Sequence, residues 1–206
     1  MKPIIIGITG ASGSGKSSIL KAARQIIGFN TVEILSQDHY YKPIEQQILD
    51  KDGMVNFDLP TGINQKKYVH DVKHILSEKT LKIPAYNYNN PNAKTKMLTF
   101  FPTKILFLEG LFLFKPYLIN AYLDLKIFIE SPNEVNFKRR LKRDQIQRGQ
   151  KVEQIEYQWK NHVLPTYHKY LLPQKEQADF ILKNQESKRK SAQILVDFLQ
   201  QKGISF

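Results

Sequence analysis

The sequence predicts a three-layer α/β fold with a mostly parallel sheet, and three observations carry that expectation. Apolar runs of strand length alternate with longer helical patterns along the chain. The runs are continuous rather than alternating, as in strands buried on both faces of a parallel sheet. A glycine-rich segment, Gly10 to Ser17, joins the first apolar run to the first helical pattern.

In chain order, the expected strands are Ile4 to Thr9, Thr31 to Leu35, Ile105 to Leu108, Leu125 to Ile129 and Phe180 to Leu182. The expected helices are Ser17 to Ile27, Asn64 to Ser77, Asn133 to Gln147, Val152 to Leu172 and Ser187 to Gln201, with Pro165 expected to kink or break the fourth. Between about residues 82 and 101 the tyrosine- and asparagine-rich piece around Tyr86 and Tyr88 alternates like a small hairpin projecting from the sheet. At 206 residues the chain reads as one domain, 1–206, carrying that insertion.

The glycine-rich segment reads Gly-Ala-Ser-Gly-Ser-Gly-Lys-Ser, the G-x-x-x-x-G-K-S spacing of a phosphate-binding P-loop. Glycines allow positive φ and let backbone N–H groups converge on an oxygen-rich anion, and the following helix turns its positive end to the same anion. Gly10, Ala11, Ser12, Gly13, Ser14, Gly15, Lys16, Ser17 and Ser18 are therefore the expected nucleotide-binding residues. Lys16 would reach the β/γ-phosphates and the Ser17 hydroxyl would join a Mg²⁺ shell. An accidental Gly/Ser match is the competing reading. Ordinary residue frequencies, with Gly about 7%, give under roughly one such match per hundred chains of this length. The expectation is a P-loop NTPase fold.

Composition narrows the rest. With no cysteine, disulfides and thiolate metal sites are excluded. The N-terminus enters a strand without a signal-peptide pattern, and no apolar run approaches a membrane span, so the default expectation is cytoplasmic with no membrane partner. The net charge of +12 suits either nucleic acid or polyphosphate substrates. No nucleic-acid motif accompanies it, which favours phosphate handling.

Two further strand exits carry carboxylates, at the sheet edge where α/β folds bind ligands. Asp38 follows the second strand in Ser36-Gln37-Asp38-His39-Tyr40-Tyr41, and Glu109 ends the run Ile105 to Leu108. Each could simply be a turn or strand terminus. Beside a P-loop, Glu109 resembles the second acidic element that holds Mg²⁺ directly or through water. The basic segment Lys138 to Lys151 places Arg139 and Arg143 four apart on one helix face, while Arg140 and Asp144 could pair on the next. Ending at Gly149, it suits a helical lid over about 133–151 that brings arginine to a phosphoryl group and excludes water.

Together these pieces resemble the uridine kinase (uridine-cytidine kinase) family, related to phosphoribulokinase. The resemblance runs from Ile6 to about Leu182. It rests on the P-loop at 10–17, Ser-Gln-Asp-His-Tyr-Tyr at 36–41, Asn-Phe-Asp-Leu-Pro at 56–60, Pro-Ala-Tyr-Asn-Tyr at 84–88, Phe-Leu-Glu-Gly at 107–110, Arg-Arg-Leu-Lys-Arg-Asp at 139–144 and Arg-Gly at 148–149. It implies transfer of phosphate from ATP or GTP, with Mg²⁺, to a nucleoside 5′-hydroxyl in pyrimidine salvage. It implies Asp38 as the general base, Ser17, Asp38 and Glu109 as the Mg²⁺ shell, and Asp58, Arg140 and Gln158 on the ribose. Tyr41, Phe57, Tyr86 and Tyr88 would enclose the base, although the two tyrosines could equally cover one face of the hairpin. Arg143 and Arg148 would serve the donor and the transferred phosphate, and a homo-oligomer, commonly a tetramer, is implied.

Two positions depart from that family. Its base-reading histidine falls at or near Pro91, and a base-reading arginine falls on Gln150. Neither touches the phosphoryl-transfer machinery. They open the acceptor to other polar groups, such as Asn87, Asn89 and Asn90, or to another ribose-bearing molecule such as nicotinamide riboside or a phosphorylated pentose. A nucleotide switch and a nucleic-acid-binding protein are more distant alternatives; no Asn-Lys-x-Asp guanine-reading motif is present.

Overall fold

In the computed structural model, residues 3–87 and 96–206 are described. The five long apolar runs form a fully parallel sheet. The strands are β1 (Ile4–Gly10), β2 (Val32–Ser36), β5 (Ile105–Glu109), β6 (Leu125–Glu130) and β7 (Phe180–Lys183), in the order β2-β5-β1-β6-β7. A separate two-stranded antiparallel sheet, β3 (Leu81–Pro84) with β4 (Met97–Phe100), supplies the arms of the expected hairpin. Its Tyr88, Asn89, Asn90 and Pro91 lie outside the described residues.

Both faces of the parallel sheet are covered, which accounts for the continuous apolar runs. On one face Ile6, Ile8, Phe107, Ile127 and Ile129 pack with Ile19, Leu20 and Ala23 of helix α1 (Lys16–Ile27), and with Leu195, Val196 and Leu199 of the C-terminal helix (Lys188–Gln201). On the other, Ile5, Leu35, Leu106 and Leu108 pack with Tyr68, Val72 and Ile75 of α2 (Gln65–Leu76) and with Phe112, Phe114 and Leu171. The expected helix starts Asn64 and Ser187 prove to be caps: Asn64 Oδ1 accepts from Lys67 N at 3.0 Å, and Ser187 Oγ from Lys190 N at 3.3 Å.

The register aligns the strand ends that matter. Ile8 pairs with Glu109, and Glu109 with Ser36, so the exits of β1, β2 and β5 share one edge. After β2 the chain makes a single 3₁₀ turn, Gln37–Tyr40, capped by Ser36 Oγ, which accepts from Asp38 N at 3.3 Å. After β6 comes α3 (Asn133–Arg148), closed by the left-handed Gly149 at φ 62°.

Pro165 does not break its helix. From α4 (Val152–Gln158) the backbone stays right-handed through a π turn (Trp159–Val163), α5 (Leu164–Thr166), a second π turn (Tyr167–Leu171) and α6 (Leu172–Lys175). The wider π turns on either side of Pro165 absorb its missing N–H and the bulk of its ring, which in an α-helix would strike the carbonyl one turn back. The C-terminal helix is α7.

Candidate active site

The P-loop wraps the end of β1 and opens α1. Gly13 (φ +82°) lies so close to α3 that a Cβ there would sit 2.3 Å from the Asn136 carbonyl oxygen. Gly15 (φ +93°) caps α1 with no side chain on the helix's first N–H groups. Those donors face the cleft, the condition for binding an anion at a helix start. Lys16 Nζ folds back to donate to Gly10 O at 2.8 Å and Ala11 O at 3.0 Å. Burial draws the Lys16 ammonium below its usual range, while Glu109 and Asp38 oppose that shift.

Across the shared edge, Ser17 Oγ lies 2.9 Å from each Glu109 carboxylate oxygen. Desolvation first, and the Asp38 charge second, push the Glu109 carboxyl above its usual range; Lys16 and the hydroxyls of Ser17 and Ser36 partly offset this. Glu109 is only 6% exposed. Among the described residues no group of three or more His, Asp or Glu side chains forms a ready cage for a metal. Mg²⁺ in a phosphoryl-transfer site takes one or two carboxylates with waters and phosphate oxygens, so the set Ser17, Asp38 and Glu109 suits it.

A cleft of about 930 Å³ runs from this edge to a second cluster. Its P-loop end includes Ser12, Gly13, Gly15, Lys16, Ser17 and Ser18; Gly10, Ala11 and Ser14 do not line it. Asp38 and Glu109 line it too, as do Tyr41, Phe57, Asp58, Tyr86, Gln150 and Gln158. Tyr41 stands 5.8 Å from Phe57, near edge-on, and 5.6 Å from Tyr86. Burial, then the charges of Asp38 and Asp58, push the Tyr41 phenol well above its usual range.

Arg140 is the junction. It is 5% exposed and donates to Asp58 (NH1–Oδ1 3.2 Å, NH2–Oδ2 3.4 Å), to Gln158 Oε1 at 3.2 Å and to Ser12 Oγ at 3.1 Å. Its Nε lies 3.3 Å from Asp144 Oδ2, the pairing expected one turn along the helix. Asp144 is fully buried and holds two more arginines: Arg143 Nε at 2.7 Å and Arg148 Nε at 3.4 Å. The arginines expected to serve the donor are thus gathered on one anion beside the cleft they line.

The structure adds residues that sequence reasoning passed over. Asn184, just beyond β7, donates to Ser14 O at 2.7 Å and accepts from Ser191 Oγ at 2.9 Å, tying the P-loop to α7. The rule that strand exits build the site would have found it. Thr166 Oγ1 donates to Asp58 O at 2.7 Å, a contact no spacing in the chain announces.

A loop built to hold a polyphosphate, faced across a cleft by arginines and by a second carboxylate-lined pocket, belongs to the P-loop kinases. Comparison with known proteins narrows that class. The model of the Phosphoribulokinase / Uridine kinase family matches residues 5–190, and the chain belongs to that family. It is 33% identical over 202 residues to a uridine kinase of Borrelia turicatae (strain 91E135), covering 97% of this chain and 95% of that protein. It is 34% identical over 183 residues to a uridine kinase of Haemophilus ducreyi (strain 35000HP / ATCC 700724), covering 87% and 84%. The fold matches a solved structure of a possible uridine kinase from Bacillus stearothermophilus with a TM-score of 0.61, at 16% identity over 88% of this chain and 89% of that one. Among the described residues no helix is long and apolar enough to cross a membrane.

Proposed function

We propose that the chain phosphorylates the 5′-hydroxyl of a pyrimidine ribonucleoside, uridine and with it cytidine, using ATP or GTP, in nucleoside salvage. One observation carries the reading: Arg140 bonds at once to Ser12 of the P-loop and to Asp58 and Gln158 of the second pocket, so donor and acceptor halves share a single cleft.

The P-loop N–H groups take the β- and γ-phosphates, and Lys16 leaves its own loop's carbonyls for phosphate oxygens. Ser17, with Asp38 and Glu109, would hold Mg²⁺, which when bound would neutralise charge on the phosphates. Asp58, Arg140 and Gln158 hold the ribose hydroxyls; Asp58 distinguishes ribose from 2-deoxyribose where it engages the 2′-hydroxyl. Tyr41, Phe57 and Tyr86 enclose the planar base. Asp38 then accepts the proton of the 5′-hydroxyl as that oxygen attacks the γ-phosphorus and the bond to the β-phosphate oxygen breaks. Arg143 and Arg148 neutralise the migrating group, and closure of α3 keeps water from taking the phosphate. A cytoplasmic homo-oligomer completes the proposal.

A coupled ADP-release screen across nucleosides and related ribosides tests it. Turnover of uridine, dependent on Mg²⁺ and lost in Lys16→Ala, is the expected result. Turnover confined to nicotinamide riboside or a phosphorylated pentose would replace the acceptor, the second reading that neutral Gln150 in the cleft wall favours.

A further inference from the structure

The chain leading to Asp58 brings Val55, Phe57 and Asp58 into the cleft wall, yet little apolar burial holds it there. Its Ile44, Ile48 and Leu49 side chains are exposed. Polar contacts take over that role. Residues 48–56 fold into a small antiparallel turn: Leu49 bridges Val55, Asp50 N donates to Met54 O at 2.8 Å, and Asn56 N donates to Ile48 O at 2.9 Å. Asn56 Oδ1 in turn accepts from Asp58 N at 3.0 Å. Hydrogen bonds therefore run from Asp50 near the tip of the turn to Asp58 at its base.

Asp50 is where the turn meets the irregular helix. Its Oδ1 accepts from Asp52 N and Met54 N at 2.9 Å each, within the turn. Its Oδ2 lies 2.6 Å from His162 Nε2 and 2.8 Å from the Tyr157 hydroxyl. Tyr157 and His162 are five residues apart, the repeat of the π turn between them. In an unbroken α-helix they would point about 140° apart; the wider turn lets both reach one carboxylate. Desolvation pushes the Asp50 carboxyl up, but the hydrogen bonds from His162, Met54, Tyr157 and Asp52 outweigh it and hold the group well below the usual carboxylate range. An anion accepts and does not donate, so Nε2 donates to Asp50 whether the ring is neutral or protonated. The Tyr157 hydroxyl has one hydrogen and also lies 2.5 Å from Asp52 Oδ2, so it serves Asp50 only in part. His162, 2% exposed, is the constant side-chain donor. Burying so polar a ring costs more than burying an apolar one, whereas its directed bond fixes one arrangement of the turn.

We propose that His162 is a positioning residue for the acceptor: through Asp50 it holds the turn in the arrangement that sets Phe57 and Asp58 against the bound nucleoside. The proposal rests on the nucleoside reading above. The ring acts without touching the nucleoside. The phosphate loop is framed by the parallel sheet instead, so the effect falls on the acceptor and not on the donor.

The test is a double-mutant cycle on the purified full chain, read as the KM for uridine and the KM for the donor. His162→Leu keeps bulk but removes the N–H; it is expected to raise the uridine KM roughly tenfold, the usual worth of one such bond to a charged group, with the donor KM within about twofold. His162→Gln, whose terminal amide carries an N–H near the position of Nε2, is expected to recover most of that loss. Asp50→Ala is expected to raise the uridine KM similarly and the double variant no further, because partners in one bond are not additive. Amide hydrogen exchange at Met54 and Asn56 is expected to quicken in His162→Leu. An unchanged uridine KM or unchanged exchange in folded His162→Leu overturns the assignment. So does an equal rise in both KM values, a Gln variant no better than Leu, or additive losses in the double variant. Should His162→Leu not fold, an unchanged uridine KM in Asp50→Ala overturns it alone. Wild-type protein that phosphorylates no nucleoside overturns the preceding reading instead; the cycle is then read with the riboside it does use, and by exchange.

Discussion

Arg140 on α3 and Asp58, in the loop ahead of α2, meet as a two-point buried pair, 82 residues apart in sequence, at 3.2 and 3.4 Å. A guanidinium fork matched to a carboxylate fixes direction as well as distance. Asp58→Asn keeps the shape but loses the charge. The expected result is a nucleoside KM raised roughly 10–100-fold, about 1.4–2.8 kcal/mol, with the donor KM little changed. Initial rates at varied nucleoside and varied donor separate the two; an equal rise in both constants would place Asp58 in the shared frame rather than on the acceptor.

Asp38 stands on a 3₁₀ turn capped by Ser36 and lines the same cleft as Asp58. Asp38→Asn is expected to lower kcat by about 10²–10⁴-fold, the range for loss of a general base, while nucleotide binding survives. Single-turnover rates together with titration of the donor check this. Near-normal turnover would remove Asp38 from the proton transfer.

Glu109 gives a prediction about stability with a definite sign. Its folded-state carboxyl titrates above the unfolded value, so the ionised form costs the ligand-free protein stability as pH rises through that raised value. Below the ordinary glutamate range both states are protonated and the cost vanishes. Glu109→Gln should therefore raise the melting temperature of ligand-free protein near neutral pH, by an amount that shrinks toward pH 4, while lowering Mg²⁺-dependent turnover. Melting curves across that range read the difference; a gap that widens on acidification contradicts it.

Asp144 is the common partner of three guanidinium groups and has no exposure of its own. Removing one member of such a buried set leaves the others uncompensated. Asp144→Ala is expected to cost about 3–5 kcal/mol, or roughly 6–20 °C in melting temperature for a chain of this size. Thermal unfolding measures it directly.

Asn184 predicts a more local effect. Its amide holds the Ser14 carbonyl, so Asn184→Ala should loosen the P-loop, costing about 1 kcal/mol in stability and weakening donor affinity more than nucleoside affinity. Isothermal titration with a nucleoside triphosphate, compared with nucleoside KM values, distinguishes the two.

Much of this was legible in the residues. Continuous apolar runs place all five parallel strands, because burial on both faces leaves no polar alternation to misread. The P-loop, Asp38 and Glu109 follow from a local rule, that ligands gather where strands end. The acceptor side is harder because its contacts join distant segments: Asp58 with Arg140, Asp50 with His162, Thr166 with Asp58. Nothing in the spacing of those residues distinguishes them from surface polar groups. Pro165, the expected site of a kink or break, is answered by two π turns rather than a break. A proline in a helical pattern signals a break only if the helix stays α, and the two π turns here give the ring room.

Those π turns have a consequence for how the protein can change. Tyr157, Gln158, His162 and Thr166, which grip Asp50, Asp58 or Arg140, all hang from one irregular helix, whereas the phosphate loop is framed by the parallel sheet. On the proposed assignment of the second pocket to the acceptor, exchanging side chains along that helix would retune what is phosphorylated and leave the apparatus of transfer intact. Descendants of one such scaffold can drift among acceptors by a few point changes, each starting from a working enzyme, and a library randomised at those four positions would retrace the same route in the laboratory.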